Sequence, residues 1–177
     1  MRHYLDNSGS DISIDALDMV KKSVNGSKLF ASEAQAAKTF AESLDPRKEY
    51  DITSSLHVTP MNEQESSLDW FLAVGGYSAW GKGHLMTGGY KTPYSDKRCF
   101  NLEFEYKVKD LYNFDEGKKV DFSIAGQKNT IDDEIMREFA IQGLAKTFFM
   151  SGSFKRTFEW KSGENIYPAR TLLNGNK

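Results

Sequence analysis

The residues best equipped for chemistry fall within six positions, Asp110-Leu111-Tyr112-Asn113-Phe114-Asp115. Two carboxylates, an amide and a phenol in so short a span could position a water, hold a hard cation such as Mg or Ca through oxygen ligands, or do acid–base work. The same residue types also begin tight turns, because Asn and Asp satisfy the local backbone, and Gly117 would complete one. Other chemistry is weaker. His3, His57 and His84 are the three histidines, and no two stand at a ligand spacing such as i, i+4. They read as surface or strand residues, with no metal site implied. Cys99 is alone, so it has no disulfide partner and reads as a half-buried inert thiol. Gly76 to Gly83 nearly spells a phosphate-binding loop, but Gly83 stands where Ser or Thr must hold magnesium, and no helix follows. That stretch reads instead as a hairpin turn or bulge beside Trp80.

The cluster must be held by a strand. From Phe100 to Val108 the chain alternates strictly, with Phe100, Leu102, Phe104, Tyr106 and Val108 on one side and Asn101, Glu103, Glu105 and Lys107 on the other. That is the period of a strand with one buried and one wet face. Phe154, Phe158 and Trp160 repeat the pattern later, and Val120, Phe122 and Ile124 form a shorter strand. Tyr50 to Pro60, Trp70 to Val74 and Ala79 to Met86 are further strand candidates. The aromatic faces of these strands read as core before they read as a stacking platform for bases, since their exposed neighbours are acidic.

Helices are expected at both ends of this sheet. Residues 14–24 carry Ile14, Leu17, Val20 and Val24 at helical spacing, stopped by Asn25-Gly26. Ser32 with Gln35 forms a capping box for a second helix, whose face is Ala36, Ala37, Phe40, Ala41 and Leu44. Thr130 caps a long helix over about 131–149, with Asp132, Asp133 and Glu134 in its first turn, where the helix dipole favours negative charge. Its apolar residues Ile131, Ile135, Met136, Phe139, Leu144 and Phe148 are expected to cover the sheet. The fold class is α+β: an N-terminal helical pair, then an antiparallel sheet with the 131–149 helix on its apolar face.

Composition bounds the rest. The 177 residues suit one domain over 1–161, followed by a polar, flexible tail over 162–177. Net charge is −2, which gives no electrostatic footprint for nucleic acid. No apolar run is long enough for a transmembrane helix, and the first residues lack the apolar core of a signal peptide. The expectation is a protein made in the cytoplasm and, if exported, carried by a route this segment does not encode.

Four segments, in order, resemble the C-terminal modules of large secreted bacterial toxins of the Rhs/polymorphic type. His3-Tyr4-Leu5-Asp6-Asn7-Ser8-Gly9-Ser10 is similar to their HYL-x-G-S-G opening, and Trp70 to Gly83 to their central hairpin. Asp110 to Val120 is similar to their D-x-Y-N-W-D-x-G-K-x-V segment, and Gln142 to Trp160 to their GLA-x-EF…G…W close. A more distant likeness is to the catalytic domain of colicin M, a hydrolase of the lipid-linked peptidoglycan precursor. Asp110, Tyr112 and Asn113 would take its first three functional positions. Asn113 stands there in place of a second Asp, and the family's His-Arg pair is missing; Ala140 occupies the place where the toxin modules often carry a His.

The resemblance implies an antibacterial effector delivered by a specialised secretion system, with an immunity protein as partner and the envelope as the target. The colicin M likeness implies a phosphoesterase-like hydrolase with Asp110, Tyr112 and Asn113 as catalytic residues, and Asp115 of the same cluster is expected to join them by holding a cation or orienting water. His3, Trp80, Lys82 and Lys118 are expected to bind substrate. The other reading is a non-catalytic interaction domain that uses the sheet's wet face (Glu103, Glu105, Lys107) or the hairpin around Trp80.

Overall fold

The computed structural model describes residues 2–61 and 65–166. The chain opens with α1 (Arg2–Leu5), β1 (Ile12–Ser13), α2 (Ala16–Lys21) and α3 (Val24–Ala41). Next come β2 (Glu49–Thr53), β3 (His57–Pro60), α4 (Leu68–Ala73) and β4 (Gly76–Gly88), then β5 (Lys91–Thr92), β6 (Ser95–Asp96) and β7 (Cys99–Tyr112). The last elements are β8 (Lys119–Ile124), β9 (Gln127–Asp132), α5 (Asp133–Ile141) and β10 (Phe148–Lys161). The architecture is α+β, as the sequence predicts.

The main sheet runs in the order β1-β10-β7-β4-β2, with β3 also paired to β4. Its long strands are antiparallel, and the short β1 joins β10 in parallel. β7 is central. It registers with β10 from Phe148↔Tyr112 to Lys161↔Cys99, and with β4 from Ser78↔Lys109 to Gly88↔Cys99. Its predicted alternation holds: Phe100, Leu102, Phe104, Tyr106 and Val108 are buried, and their neighbours face solvent to varying degrees.

The helix that covers this face is α3, and the predicted 131–149 helix does not form as such. Phe30 of α3 sits 6.3 Å from the Phe104 ring, 5.3 Å from Tyr106 and 5.1 Å from Phe154, and is fully buried. Burial of one such side chain stabilises the fold by about 1.5–3 kcal/mol. Near the chain's other end, residues 127–132 pair with β8 across a turn where Ala125 and Gly126 have φ of 51° and 80°. Asp132 then caps a shorter α5, its carboxylate accepting from the Glu134 amide at 3.0 Å, and Gly143 at φ +74° ends the excursion. Backbone pairing thus takes the first residues of the predicted helix, and β10 takes Phe148 from its end. Ile135 and Phe139 stay exposed rather than covering the sheet.

Further expectations change. Asn25-Gly26 lies inside the first turn of α3, because Ser23 caps it by accepting from the Gly26 amide at 3.0 Å. A Cβ at Gly26 would stand 3.0 Å from the Tyr77 hydroxyl and 3.2 Å from the Ser23 side chain, a tighter approach than an ordinary contact. Ser32 is therefore mid-helix and no cap. Trp70 to Ala73, predicted as strand, is the helix α4; a short apolar run fits either state, and the indole N–H donates to Asp18 at 2.9 Å to fix it. The glycines of 76–83 do not make a turn. β4 runs straight through them, because the Phe104 ring occupies the space over Gly81 and the Glu103 carbonyl lies 2.6 Å from a Cβ at Gly83. Of the predicted tail, Ser162 is pinned by its amide to the Arg98 carbonyl at 3.0 Å and by its hydroxyl to Asp96 at 2.7 Å. Residues 167–177 lie outside the described residues.

Candidate functional site

The β4–β7 ladder ends at Ser78↔Lys109 while β10 continues along β7 to Tyr112. Asp110 to Tyr112 are thus held by β10 alone in the main sheet, and a groove of about 560 Å³ opens on their other side. Its walls come from β3 (Val58, Thr59, Pro60), from Phe71 of α4, and from Phe114, Val120 and Ile131 around the β8–β9 hairpin. Asp110, Tyr112, Asn113, Asp115, Lys118 and Asp133 all line it.

Asp110 is the reactive candidate among them. It shares the inward face of β7 with Val108 and Tyr112, so its carboxyl is half-buried at the sheet's end. Burial pushes its pKa up to about 6, with the Leu111 amide working in the opposite direction. A carboxyl of that pKa exchanges a proton near neutrality, which general acid–base catalysis requires.

The other three predicted catalytic residues sit in different circumstances. Tyr112 is buried, stacked on Phe148 with centroids 5.0 Å apart and 5.9 Å from the Tyr4 ring. Burial raises its hydroxyl to about 12, so it is a neutral phenol. Asn113 is exposed and donates to Asp115 at 3.1 Å. Asp115 also takes Lys118 Nζ at 2.6 Å. Two of the groove's polar side chains therefore satisfy Asp115, and Lys118, expected to meet substrate, is tied to it.

A carboxylate that the sequence reading assigned only to a helix turn also belongs here. Asp133 is buried, its Oδ1 has no hydrogen-bond partner among the described residues, and burial raises its pKa. Its backbone N–H donates to the Lys118 carbonyl at 3.1 Å, which draws the start of α5 under the groove. Among the described residues, no three of His, Cys, Asp and Glu converge to hold a metal ion. Asp115 is engaged by Lys118 and Asn113, and acid–base work is the chemistry Asp110 fits.

The remaining expected binding residues lie elsewhere. His3 does not line the groove; its Nε2 meets the Ser10 carbonyl at 2.8 Å and its ring stands edge-on to Phe148 at 4.5 Å. Trp80 lines a neighbouring cavity of about 500 Å³ with Leu56, Val58, Leu111 and Phe149, and Asp110 borders that cavity too. Lys82 faces a third hollow, on the sheet's wet side, and pairs with Glu105 at 3.3 Å. His84 lies in that hollow, bonded to Asp51 at 3.0 Å, which raises its pKa. Neither Arg137 nor Glu138 lines the groove: Arg137 pairs with Glu116 at 3.7 Å and Glu138 accepts from Gln142 at 2.9 Å. Cys99 is exposed rather than half-buried.

No helix among the described residues is long and apolar enough to cross a membrane. No protein-family model, no curated protein and no solved structure matches the chain.

Proposed function

We propose that this chain is a toxin or effector module acting on a competing bacterial cell, at the envelope, as a hydrolase whose working site is the groove at the end of β7. The observation that carries this reading is the position of Asp110: a carboxyl in a groove of about 560 Å³, with a pKa pushed up to about 6. The ordered resemblance to polymorphic toxin modules supplies the biological setting, including an immunity protein as partner and a lipid-linked cell-wall precursor as substrate. In this reading Asp110 exchanges the proton. Asn113 and the Asp115–Lys118 pair shape the polar side of the groove, and Tyr112 holds the aromatic wall against which Asp110 is desolvated.

Expression in a bacterial host, directed to the cytoplasm or the periplasm, tests it. Wild-type protein is expected to arrest growth from the periplasm and Asp110→Asn to abolish the arrest. Normal growth with wild-type protein in both compartments overturns the reading.

One observation favours a second reading, a non-catalytic interaction module. Leu56, Val58, Leu111 and Phe149 are all exposed around Trp80. An apolar patch of this kind on a polar rim is a common signature of a protein contact. A stable partner recovered equally well by wild type and Asp110→Asn supports that reading over catalysis.

A further inference from the structure

Among the described residues β10 is an edge strand for most of its length, with β1 paired to it at Met150 and Ser151. Three hydrogen bonds fix which backbone groups face outward. The Phe149 amide donates to Asp11 Oδ1 at 2.9 Å, the Ser151 carbonyl accepts from the Ile14 amide at 2.9 Å, and the Lys161 amide donates to Glu164 Oε2 at 2.9 Å. Odd-numbered residues therefore point their N–H and C=O away from β7. Between the capped ends, Ser153, Lys155, Thr157 and Glu159 present that row to solvent, and all of these side chains are exposed. Arg156 Nη1 donates to the Lys155 carbonyl at 2.8 Å, leaving that oxygen's second lone pair.

A row of unpaired backbone groups is a template for another strand. The side chains along it fit an antiparallel copy of themselves in one register. With Thr157 opposite Thr157, Lys155 of each copy faces Glu159 of the other, and Arg156 faces the Phe158 ring. Odd-numbered residues then meet odd-numbered residues, so the outward N–H and C=O groups are aligned for hydrogen bonding. The neighbouring registers are opposed by charge. Centring on Arg156 sets the two guanidinium groups against each other, and centring on Phe158 sets Lys155 against Lys161; like charges directly opposite destabilise a strand pair.

We propose that two copies of this chain pair antiparallel along β10, centred on Thr157, to join their sheets into one. The contact is isologous, as a two-fold dimer requires, and its complementarity rests on the Lys155–Glu159 pair occurring twice. A contact of one strand's width is small, so the association is weak and depends on protein concentration.

Sedimentation equilibrium of the full chain up to about 1 mM is expected to show reversible dimerisation. Amide exchange at Lys155, Thr157 and Glu159 is expected to slow as concentration rises. Glu159→Lys sets lysines opposite each other at both ends and is expected to weaken association about tenfold or more. The exchanged double variant Lys155→Glu with Glu159→Lys restores it. Thr157→Pro, tolerated on an edge where the N–H faces outward, removes the central donor and is expected to leave a folded monomer by circular dichroism. A wild-type monomer at every concentration overturns the proposal. So does a dimer indifferent to Glu159→Lys, or a double variant that fails to restore pairing.

Discussion

The Tyr112 ring lies nearly flat on Phe148, with centroids 5.0 Å apart and planes 15° from parallel. The two residues are also paired in register across β7 and β10. This stack holds the end of β7 in place where β4 no longer pairs with it, and so it sets the position of Asp110 two residues earlier. Tyr112 then contributes through its ring more than through its hydroxyl.

Tyr112→Phe is accordingly expected to fold with nearly wild-type stability, a change within about 1 kcal/mol. Tyr112→Ala is expected to cost about 3–5 kcal/mol, because it empties an aromatic position in the core. Urea denaturation followed by tryptophan fluorescence separates the two. If Tyr112→Phe destabilised as much as Tyr112→Ala, the hydroxyl would be the essential part.

Asp110 carries a cost that its removal should relieve. Its pKa rises from an ordinary carboxyl value to about 6 on folding. The folded state therefore binds the proton more tightly than the unfolded chain. The associated stability is fully present below about pH 4 and is lost as pH rises through about 6. Asp110→Asn keeps the shape without the charge, and is expected to gain about 1–2 kcal/mol at pH 7 after allowance for the group's partial exposure. The gain should shrink toward zero at pH 4. An equal difference at both pH values would mean that the carboxyl is not desolvated. A residue that costs stability and whose removal ends toxicity is behaving as a functional one.

The scaffold of this site was largely legible in the sequence, and its completion was not. Phe100 to Val108 announce a strand through strict alternation, a local signal that survives because the sheet buries the whole face. Asp110 is marked by following that strand in phase. Asp133 had no such mark. Its acidic neighbours Asp132 and Glu134 read as a helix's first turn, which is where it sits. What brings it beneath the groove is the β8–β9 hairpin and the bond from its amide to the Lys118 carbonyl, both set by pairing that no local period encodes. Trp70 to Ala73 failed for the opposite reason. The run is apolar in a way that suits strand or helix, and the choice falls to Asp18, 52 positions from Trp70. The covering helix is hidden in the sequence because Asn25-Gly26 resembles a stop, whereas Ser23 caps the turn that contains it.

The glycines of β4 make a sharper test of packing. The Glu103 carbonyl, a backbone atom of the adjoining strand, stands 2.6 Å from where a Cβ at Gly83 would lie. Gly83→Ala can be relieved only by moving a strand in the middle of the sheet, and is expected to cost about 1–3 kcal/mol. Gly75, where nothing lies within 4 Å, is the control; its change to Ala is expected to leave thermal stability nearly unchanged. Equal effects at the two positions would show that the β4–β7 spacing is looser than described.

Asp96 and Arg98 set the acid limit of the fold. Arg98 is buried and donates to Asp96 at 2.6 Å and 2.9 Å, with a further bond to the Leu44 carbonyl at 2.8 Å. The guanidinium holds the Asp96 carboxyl well below the usual range, helped by the Ser162 hydroxyl. The sign is opposite to that at Asp110. This stability is fully present above about pH 4 and is lost as pH falls toward the depressed pKa. Asp96→Asn leaves the buried cation with one carbonyl in place of a carboxylate and is expected to cost about 2–4 kcal/mol at pH 7. Its deficit relative to wild type should close as both are acidified. Melting temperatures of wild type and Asp96→Asn between pH 7 and pH 2 provide the measurement. Curves that stay parallel to the lowest pH would show that the ion pair does not govern acid unfolding.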